Sequence, residues 1–442
     1  MTIKVKTAGT GSTATNIALT FGRQFMVGLM QLGLIVTVAR LLGPEGAGAF
    51  AVALLLPTLM GTLLNFGIGS ANVYFVASRQ VSLEQAWAAS RDLMVAVALF
   101  GIAMGAALIL MASDTLFPGV AQSVLLLALT IYPFSLMMSI VAGLFQAMQD
   151  FRSFNLAMIA QPALALTGAF TLWASGAFNL VALIGVVSVS HAVGLGLALS
   201  LLRRRIPLLD GICAHMPYLR KALGYGVKAH LGNILSFLNY RLDLFLVNLL
   251  AGPAAAGLYA VAVRLSEQLW IISQAVSTVI FPRLSAMAGD EAARRRFTPV
   301  VARLVLWITL FGAGVLAVIA RPLIELLFGT EFLAAEWVMY ILLPGIVLLS
   351  CARVLAHDLA ARGWVGVNLA IATIAVAINL IGNALLIPKI GISGAAAATS
   401  AAYLFMFLMN LEIQRRNFLQ PFSVMILLSR HDIKEIVKSY SK

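Results

Sequence analysis

Apolar stretches long enough to cross a membrane core of about 30 Å recur along nearly the whole chain, separated by short polar breaks. The first six run over residues 14–40, 46–77, 87–112, 119–148, 153–175 and 178–202, and a polar, basic linker follows from Arg203 to Lys221. Six more run over 222–250, 255–283, 298–320, 335–360, 365–388 and 391–414. The tail from Arg415 to Lys442 holds one further apolar stretch, Pro421 to Leu428, too short to span and suited to the membrane interface or to a disordered end. The pattern predicts an all-α membrane protein of about twelve transmembrane helices. Its divisions are a six-helix lobe (1–202), a cytoplasmic linker (203–221), a second six-helix lobe (222–414) and a cytoplasmic tail (415–442).

The two halves share a local pattern. Leu41-Leu42-Gly43-Pro44 through Gly48, Phe50 and Ala53 resembles Leu250-Ala251-Gly252-Pro253 through Gly257, Tyr259 and Ala262, at a constant offset of 209. Asn155-Leu156-Ala157 matches Asn368-Leu369-Ala370 at an offset of 213, a drift that a few loop insertions would produce. Six helices is an even number, so both halves would enter the membrane in the same sense, as parallel repeats about an axis along the membrane normal. Each Gly-Pro pair would end one helix and start the next tightly.

Composition fits this reading. Charged residues make up 11% of the chain against 61% hydrophobic ones, and mean hydropathy is +0.97. A soluble domain carries roughly 25% charged residues, so a water-facing surface could not be covered here, whereas lipid-facing helices need no charge. The net charge of +13 follows topology. With the amino terminus inside, twenty-one Lys and Arg fall in cytoplasmic segments and only Arg40, Arg321 and Lys389 on the other side. Both termini are therefore expected in the cytoplasm. No soluble basic face with stacking aromatics is present, which excludes nucleic acid as a partner. Cys213 and Cys351 lack partners at metal spacing and read as small apolar residues. No cleavable signal peptide is evident, and no metal site or cofactor is expected.

Ala39-Arg40-Leu41-Leu42-Gly43-Pro44-Glu45-Gly46-Ala47-Gly48 resembles the opening of polysaccharide (O-antigen, Wzx-type) flippases. Leu258-Tyr259-Ala260-Val261-Ala262 with Phe281-Pro282-Arg283-Leu284 resembles their second-half pattern. That family belongs to the multidrug/oligosaccharidyl-lipid/polysaccharide exporter superfamily, with multidrug antiporters and lipid II flippases. The resemblance implies a MATE-like, two-lobed bundle in the bacterial inner membrane. It would alternate access and move a polyprenyl-pyrophosphate-linked oligosaccharide outward for surface polysaccharide such as O-antigen or exopolysaccharide. Implied partners are that lipid-linked oligosaccharide, membrane lipids and polysaccharide assembly proteins. About twelve spans, against a typical fourteen, separate the chain from lipid II flippases. Arg23 in the first helix, with no acid there, separates it from multidrug antiporters.

Ionised groups within the spans sharpen the candidate site, since each costs at least about 2.5–3.5 kcal/mol at the bilayer centre. Arg23 lies about nine residues, roughly 14 Å, into the first helix, on a polar stripe with Asn16, Thr20 and Gln31. Arg264 and Glu267 lie near the middle of helix eight as i, i+3 neighbours: either a closed pair, or a cation for substrate tuned by an acid. Arg241 and Asp243 point in different directions on helix seven, so each needs a partner elsewhere, and His230 shares a face with Arg241. Lys228 sits a turn or two inside that helix. Arg353, His357 and Asp358 suit snorkelling and a cytoplasmic gate, and Asn379 with Asn383 suits helix-to-helix hydrogen bonds. The substrate-binding candidates are thus Arg23, Arg264, Arg241 and Lys228. Asp243, Glu267, Arg353 and Asp358 are candidates for coupling or gating.

Arginine suits a pyrophosphate because its planar fork matches the oxygens and keeps its proton. Outward movement of one negative charge gains roughly 2.3 kcal/mol per 100 mV with the inside negative, so membrane potential is a sufficient drive; an acid coupling proton or sodium entry is the other. A cation or drug antiporter of the same fold is the competing expectation, and a polysaccharide polymerase or ligase a weaker one. The longest outer loop, Arg321 to Ala334, is short, and no nucleophile motif, paired-acid site or Walker loop is present, so an enzyme is not expected.

Overall fold

The computed structural model describes residues 13–208, 216–271 and 290–427, with scattered positions between 273 and 287; the side chains of residues 13–21, 228 and 229 fall outside it. Helices account for nearly all of it, and no strand occurs among the described residues. In order they are α1 (Thr13–Leu64), α2 (Ile68–Ala77), α3 (Leu83–Leu116), α4 (Gln122–Leu129), α5 (Ile131–Ala147), α6 (Phe151–Ala174) and α7 (Leu180–Arg203). There follow α8 (Met216–Glu267), α9 (Glu291–Leu327), a 3₁₀ turn at Thr330–Phe332, α10 (Ala335–Ala361), α11 (Val365–Ile390), α12 (Ile392–Phe418) and the short α13 (Phe422–Ile426). Ten helices among the described residues are long and apolar enough to cross a membrane. Lipid-facing positions such as Met111 (87% exposed) on α3 and Val318 (83%) on α9 are apolar, as a bilayer-exposed surface requires.

Two of the ten are bent. α1 breaks at Gly43 (φ 65°, ψ −172°) and α8 at Gly252 (φ 83°, ψ 175°). The two glycines are 209 positions apart, the sequence repeat seen as geometry. Only glycine takes such φ values without strain, and the proline after each is pre-set for a first helical turn. Among the described residues ten such helices stand where hydropathy suggested about twelve segments, and two of the ten carry an internal corner.

The chain gathers into two compact units. Unit 1 takes the chain up to Phe237 together with Gly252–Gly257; unit 2 takes Leu238–Ala251 and everything from Leu258 onward. The unit boundaries therefore do not fall at the linker, since the first part of α8 clusters with unit 1.

Within unit 1 the two corners pack on each other. A Cβ on Gly48 would run into the carbonyl of Pro253, and one on Gly257 into the carbonyl of Pro44. Gly119 (φ 78°) lies against the Pro253 ring, where a Cβ would stand 2.7 Å from Cγ. This is small-residue packing, in which absent side chains let backbones touch. The start of α8 is held to α2 and α3 by polar bonds: Tyr218 donates to Asn72 Oδ1 (2.6 Å), and Asn72 exchanges hydrogen bonds with Ser90. α1 ends at Asn65–Gly67, where Phe66 (φ 50°) and Gly67 (φ 68°) turn the chain and Asn65 Oδ1 accepts from the Gly67 N–H. α6 starts at Asp150, whose carboxylate accepts from the Ser153 N–H and Oγ–H and pairs with Arg205 at 2.9 Å. Burial by itself would raise the Asp150 pKa, but these donors together hold it below the usual carboxylate value.

Within unit 2, α10 is the central helix: 72% of its apolar window is buried, the highest share of the ten. α13 turns back along α9, where Gln420 donates to the Arg295 carbonyl, Arg303 to that of Val424, and Trp307 Nε1 to that of Ile426 (2.8 Å). Arg303 is 5% exposed and satisfies a tail carbonyl. The apolar stretch after Pro421 thus has a docking place, and the chain beyond Leu427 lies outside the described residues.

Candidate functional site

Unit 2 brings most of the expected intramembrane charges together. Arg241 on α8 meets Glu267, 26 residues on and past the Gly252 corner, in a forked pair with Nη1–Oε1 at 2.9 Å and Nη2–Oε2 at 3.2 Å. The corner makes this possible, because it folds one arm of α8 back along the other. Glu267 is therefore engaged by Arg241, and its i, i+3 neighbour Arg264 also feels the charge of both.

Asp243, two residues from Arg241, faces another way and is 2% exposed. Its Oδ2 accepts from the Tyr259 hydroxyl (2.5 Å) and from Thr399 (3.1 Å), and its Oδ1 from the Leu244 N–H (2.7 Å). Thr399 on α12 in turn accepts from Asn379 on α11 (3.0 Å), and Asn383 donates to Asn379 (2.8 Å). The asparagine pair thus joins helices as its spacing suggested, and extends a polar chain from α8 through α12 to α11. Asp243, Glu267, Tyr240, Trp270, Thr399 and Tyr403 all line a small cavity with free volume of about 10 Å³, room for one water at most.

Arg353 and Asp358 on α10 part company. Arg353 donates to the Tyr240 hydroxyl (3.0 Å), and its guanidinium lies 4.2 Å from the Trp270 ring centroid and 5.3 Å from that of Tyr240. Asp358 is fully buried on the other side, accepting from Arg362 (2.7 Å), Gln414 (2.9 Å) and Thr298 (3.3 Å). Arg362, just past the end of α10, also pairs with Glu291 and lies over the Phe418 ring at 3.7 Å. Burial would lower the Arg362 pKa; hydrogen bonds from it to Asp358 and Glu291 outweigh that and raise it. This end of unit 2 is a tie between α9, α10 and α12.

In unit 1, the Arg23 guanidinium lies 5.1 Å from the Phe154 ring centroid. Its companions Asn16 and Thr20 have side chains outside the described residues, as has Lys228. His230 is buried and bonds to the Thr62 carbonyl at the end of α1 (2.5 Å), so it belongs to unit 1 and Arg241 to unit 2.

Sequence reasoning missed the neutral partners: Tyr240, Tyr259, Trp270, Thr399 and Tyr403. One signal was available. Tyr259 occupies the repeat position of Phe50, and Asp243 that of Leu34, at the same offset of 209. The second half thus gains a hydroxyl and a carboxylate where the first has apolar groups, and those two gained groups bond to each other.

A model of the family described as polysaccharide biosynthesis protein matches residues 37–336. A probable low-salt glycan biosynthesis flippase, Agl15 of Haloferax volcanii, is 26% identical over 191 residues, covering 42% of this chain and 39% of that protein. The match thus spans well under two thirds of that relative's length. In fold the chain is similar to the lipid II flippase MurJ in an inward closed conformation, with TM-score 0.74, 15% identity, and 96% of this chain and 92% of that one covered. It is also similar to an inward-facing MATE multidrug transporter of the MOP superfamily, with TM-score 0.72, 14% identity, and coverage of 89% and 94%. A MOP transporter from Pyrococcus furiosus, described as having a binding pocket of reverse polarity, gives TM-score 0.60, 15% identity, and coverage of 94% and 97%. At these identities the structural likenesses establish the fold: an all-helical, multi-pass membrane bundle of MurJ and MATE type.

Proposed function

We propose, given that the chain belongs to the family of polysaccharide biosynthesis proteins, that it is a flippase carrying a lipid-linked oligosaccharide from the cytoplasmic to the outer leaflet of a bacterial inner membrane by alternating access. Its product feeds surface polysaccharide, O-antigen or exopolysaccharide in kind. The observation that supports this reading most is guanidinium groups on helices of membrane-spanning length and hydropathy: Arg23 on α1, and Arg241 and Arg264 on α8. Such groups are costly in lipid, and an anionic pyrophosphate headgroup is cargo that gives them a use. The prenyl tail stays in the bilayer, so the protein supplies only a wet path for the head.

In this reading Arg23 and Arg264 contact the headgroup, Arg241 and Lys228 assist, and Asp243 and Glu267 couple transport to a proton or sodium ion. The tie around Asp358 closes the cytoplasmic end. Counting each bent helix as two crossings gives twelve passes with both termini in the cytoplasm. Assembly proteins that receive the glycan are the expected partners.

A cation antiporter of the same fold is the second reading, favoured by the two acids that line the unit 2 cavity. The two separate in a strain lacking the chain. Flippase function predicts that lipid-linked glycan accumulates and that the wild-type chain restores export, while Arg23→Ala with Arg264→Ala lowers it more than tenfold. Undiminished export by the double variant, or resistance to cationic dyes with normal glycan, overturns the proposal. Reconstituted vesicles separate the drives: flux under potential alone, without pH or sodium gradient, would remove the coupling role from Asp243 and Glu267.

A further inference from the structure

We infer that Arg353, Trp270 and Tyr240 form an oxyanion subsite in unit 2, taking a phosphate or carboxylate group of the transported glycolipid; the inference rests on the flippase reading and extends it. Three observations meet at this place. The first is the setting of the charge. Around the Arg241–Glu267 pair stand three guanidiniums, Arg241, Arg264 and Arg353, and two carboxylates, Asp243 and Glu267. Glu267 is forked by Arg241, and Asp243 accepts three hydrogen bonds. Among the described residues the contacts of Arg353 are neutral: the Tyr240 hydroxyl and two aromatic faces. Aromatic faces steady a guanidinium without neutralising it and leave its N–H edges available to an oxyanion.

The second is exposure. Although α10 is the most buried span, Arg353, Ala356, His357 and Ala360 are half-exposed while Val354, Leu355, Asp358 and Leu359 between them are buried. Those four positions follow helical 3–4 spacing and make one open stripe along the last turns. A stripe carrying Arg and His is stable against water or a polar guest and not against acyl chains. His357 carries the other titratable group of that stripe, and it feels the Arg353 charge.

The third is a donor without an acceptor. Trp270 is 7% exposed, and its indole Nε1 has no hydrogen-bond partner among the described residues. A buried N–H left unmade costs about 1–3 kcal/mol, so an acceptor brought against it is favoured. Indole N–H and guanidinium are both donors only, and the ligand they jointly select is an acceptor-rich anion. From its sequence position Arg353 was read with His357 and Asp358 as snorkelling and a cytoplasmic gate; here it stands with Tyr240 of α8 and with Trp270 just past the end of that helix, apart from Asp358.

The test uses the full-length protein in lipid nanodiscs and two probes: farnesyl diphosphate for a lipid-borne diphosphate, and a glucuronate disaccharide for a glycan carboxylate. Farnesol serves as the uncharged control. Binding is read by calorimetry and by quenching of indole fluorescence. Arg353→Gln is expected to weaken one of the two anions at least tenfold with farnesol unchanged, and the affected probe names the source. Trp270→Phe keeps the platform and loses the N–H, and should weaken the same probe several-fold. Arg353→Lys should recover part of the affinity, a rescue that a purely structural arginine would not give. Wild-type binding of neither anion, or equal binding by Arg353→Gln and wild type, overturns the inference. Glycan export by the wild-type chain is measured separately: export without anion binding here would leave the flippase reading standing and sink this one alone.

Discussion

Arg241 and Glu267 lose the same ion pair whichever is removed, yet the two losses should differ in cost. The Glu267 side chain is 8% exposed and the Arg241 side chain 34%. Arg241→Gln leaves a carboxylate with little access to water and no fork to replace its solvation, which costs about 3–5 kcal/mol for a buried pair broken on one side. Glu267→Gln leaves a guanidinium that keeps a third of its surface, and the new amide oxygen still accepts one of its hydrogen bonds. That loss should be about 1–2 kcal/mol, discounted for solvent screening. The double variant replaces both charges by neutral amides and should cost about the smaller single loss, so the coupling energy equals the larger one, about 3–5 kcal/mol. SDS unfolding of the purified protein in mixed micelles gives the three values against wild type. A Glu267→Gln variant as destabilised as Arg241→Gln, or losses that simply add, would refute the assignment of the pair and of its buried side.

Three further outcomes follow from the same contacts. Gly48→Ala or Gly257→Ala puts a methyl onto a proline carbonyl and should lower stability by about 3 kcal/mol or more, whereas Gly314→Ala, with open space around it, should change little; thermal denaturation of the three variants compares them. Tyr259→Phe removes a donor to a buried carboxylate and should cost about 1.5–3 kcal/mol, more than Thr399→Val with its longer bond, by the same unfolding assay. Asp150→Asn should cost about 1 kcal/mol at neutral pH. The native Asp150 pKa is depressed, so its contribution is present above the unfolded value of about 3.9 and disappears as pH falls through the folded one. Wild type and variant should therefore converge in acid, and a gap that widened there would reverse the sign.

The helical order of the chain was readable because hydropathy and length together leave few alternatives in a membrane. Residues 335–360 and 365–388 were expected to span, and α10 and α11 end within two residues of those bounds. Where the expectation fell short, the cause is polar helix. α3 begins at Leu83, four residues before its apolar stretch, because Ser82 and Gln85 cap each other's backbone N–H groups. α9 likewise begins at Glu291, where Asp290 accepts from the Ala293 N–H. Capped polar turns add no hydropathy and so remain invisible to an apolar window. The break at Asn65–Gly67 was missed for the opposite reason: Phe66 keeps the window apolar while Asn65 and Gly67 turn the chain.

The site divides along another line. Spacing within one helix excluded a bond between Arg241 and Asp243, and each finds its partners elsewhere. It could not choose partners across helices, and for that reason left Arg264 and Glu267 as a possible pair. The deciding residue was Gly252, which carries no charge and whose positive φ turns α8 back until Glu267 reaches Arg241. The same corner in the first half, at Gly43, brings no such groups together, because Leu32 and Leu34 stand where Arg241 and Asp243 do. A repeat that keeps its hinge and changes its side chains on one side only is therefore informative in itself. The hinge belongs to the fold shared by both halves, and the polar groups gained by one half mark where that fold was put to chemical use.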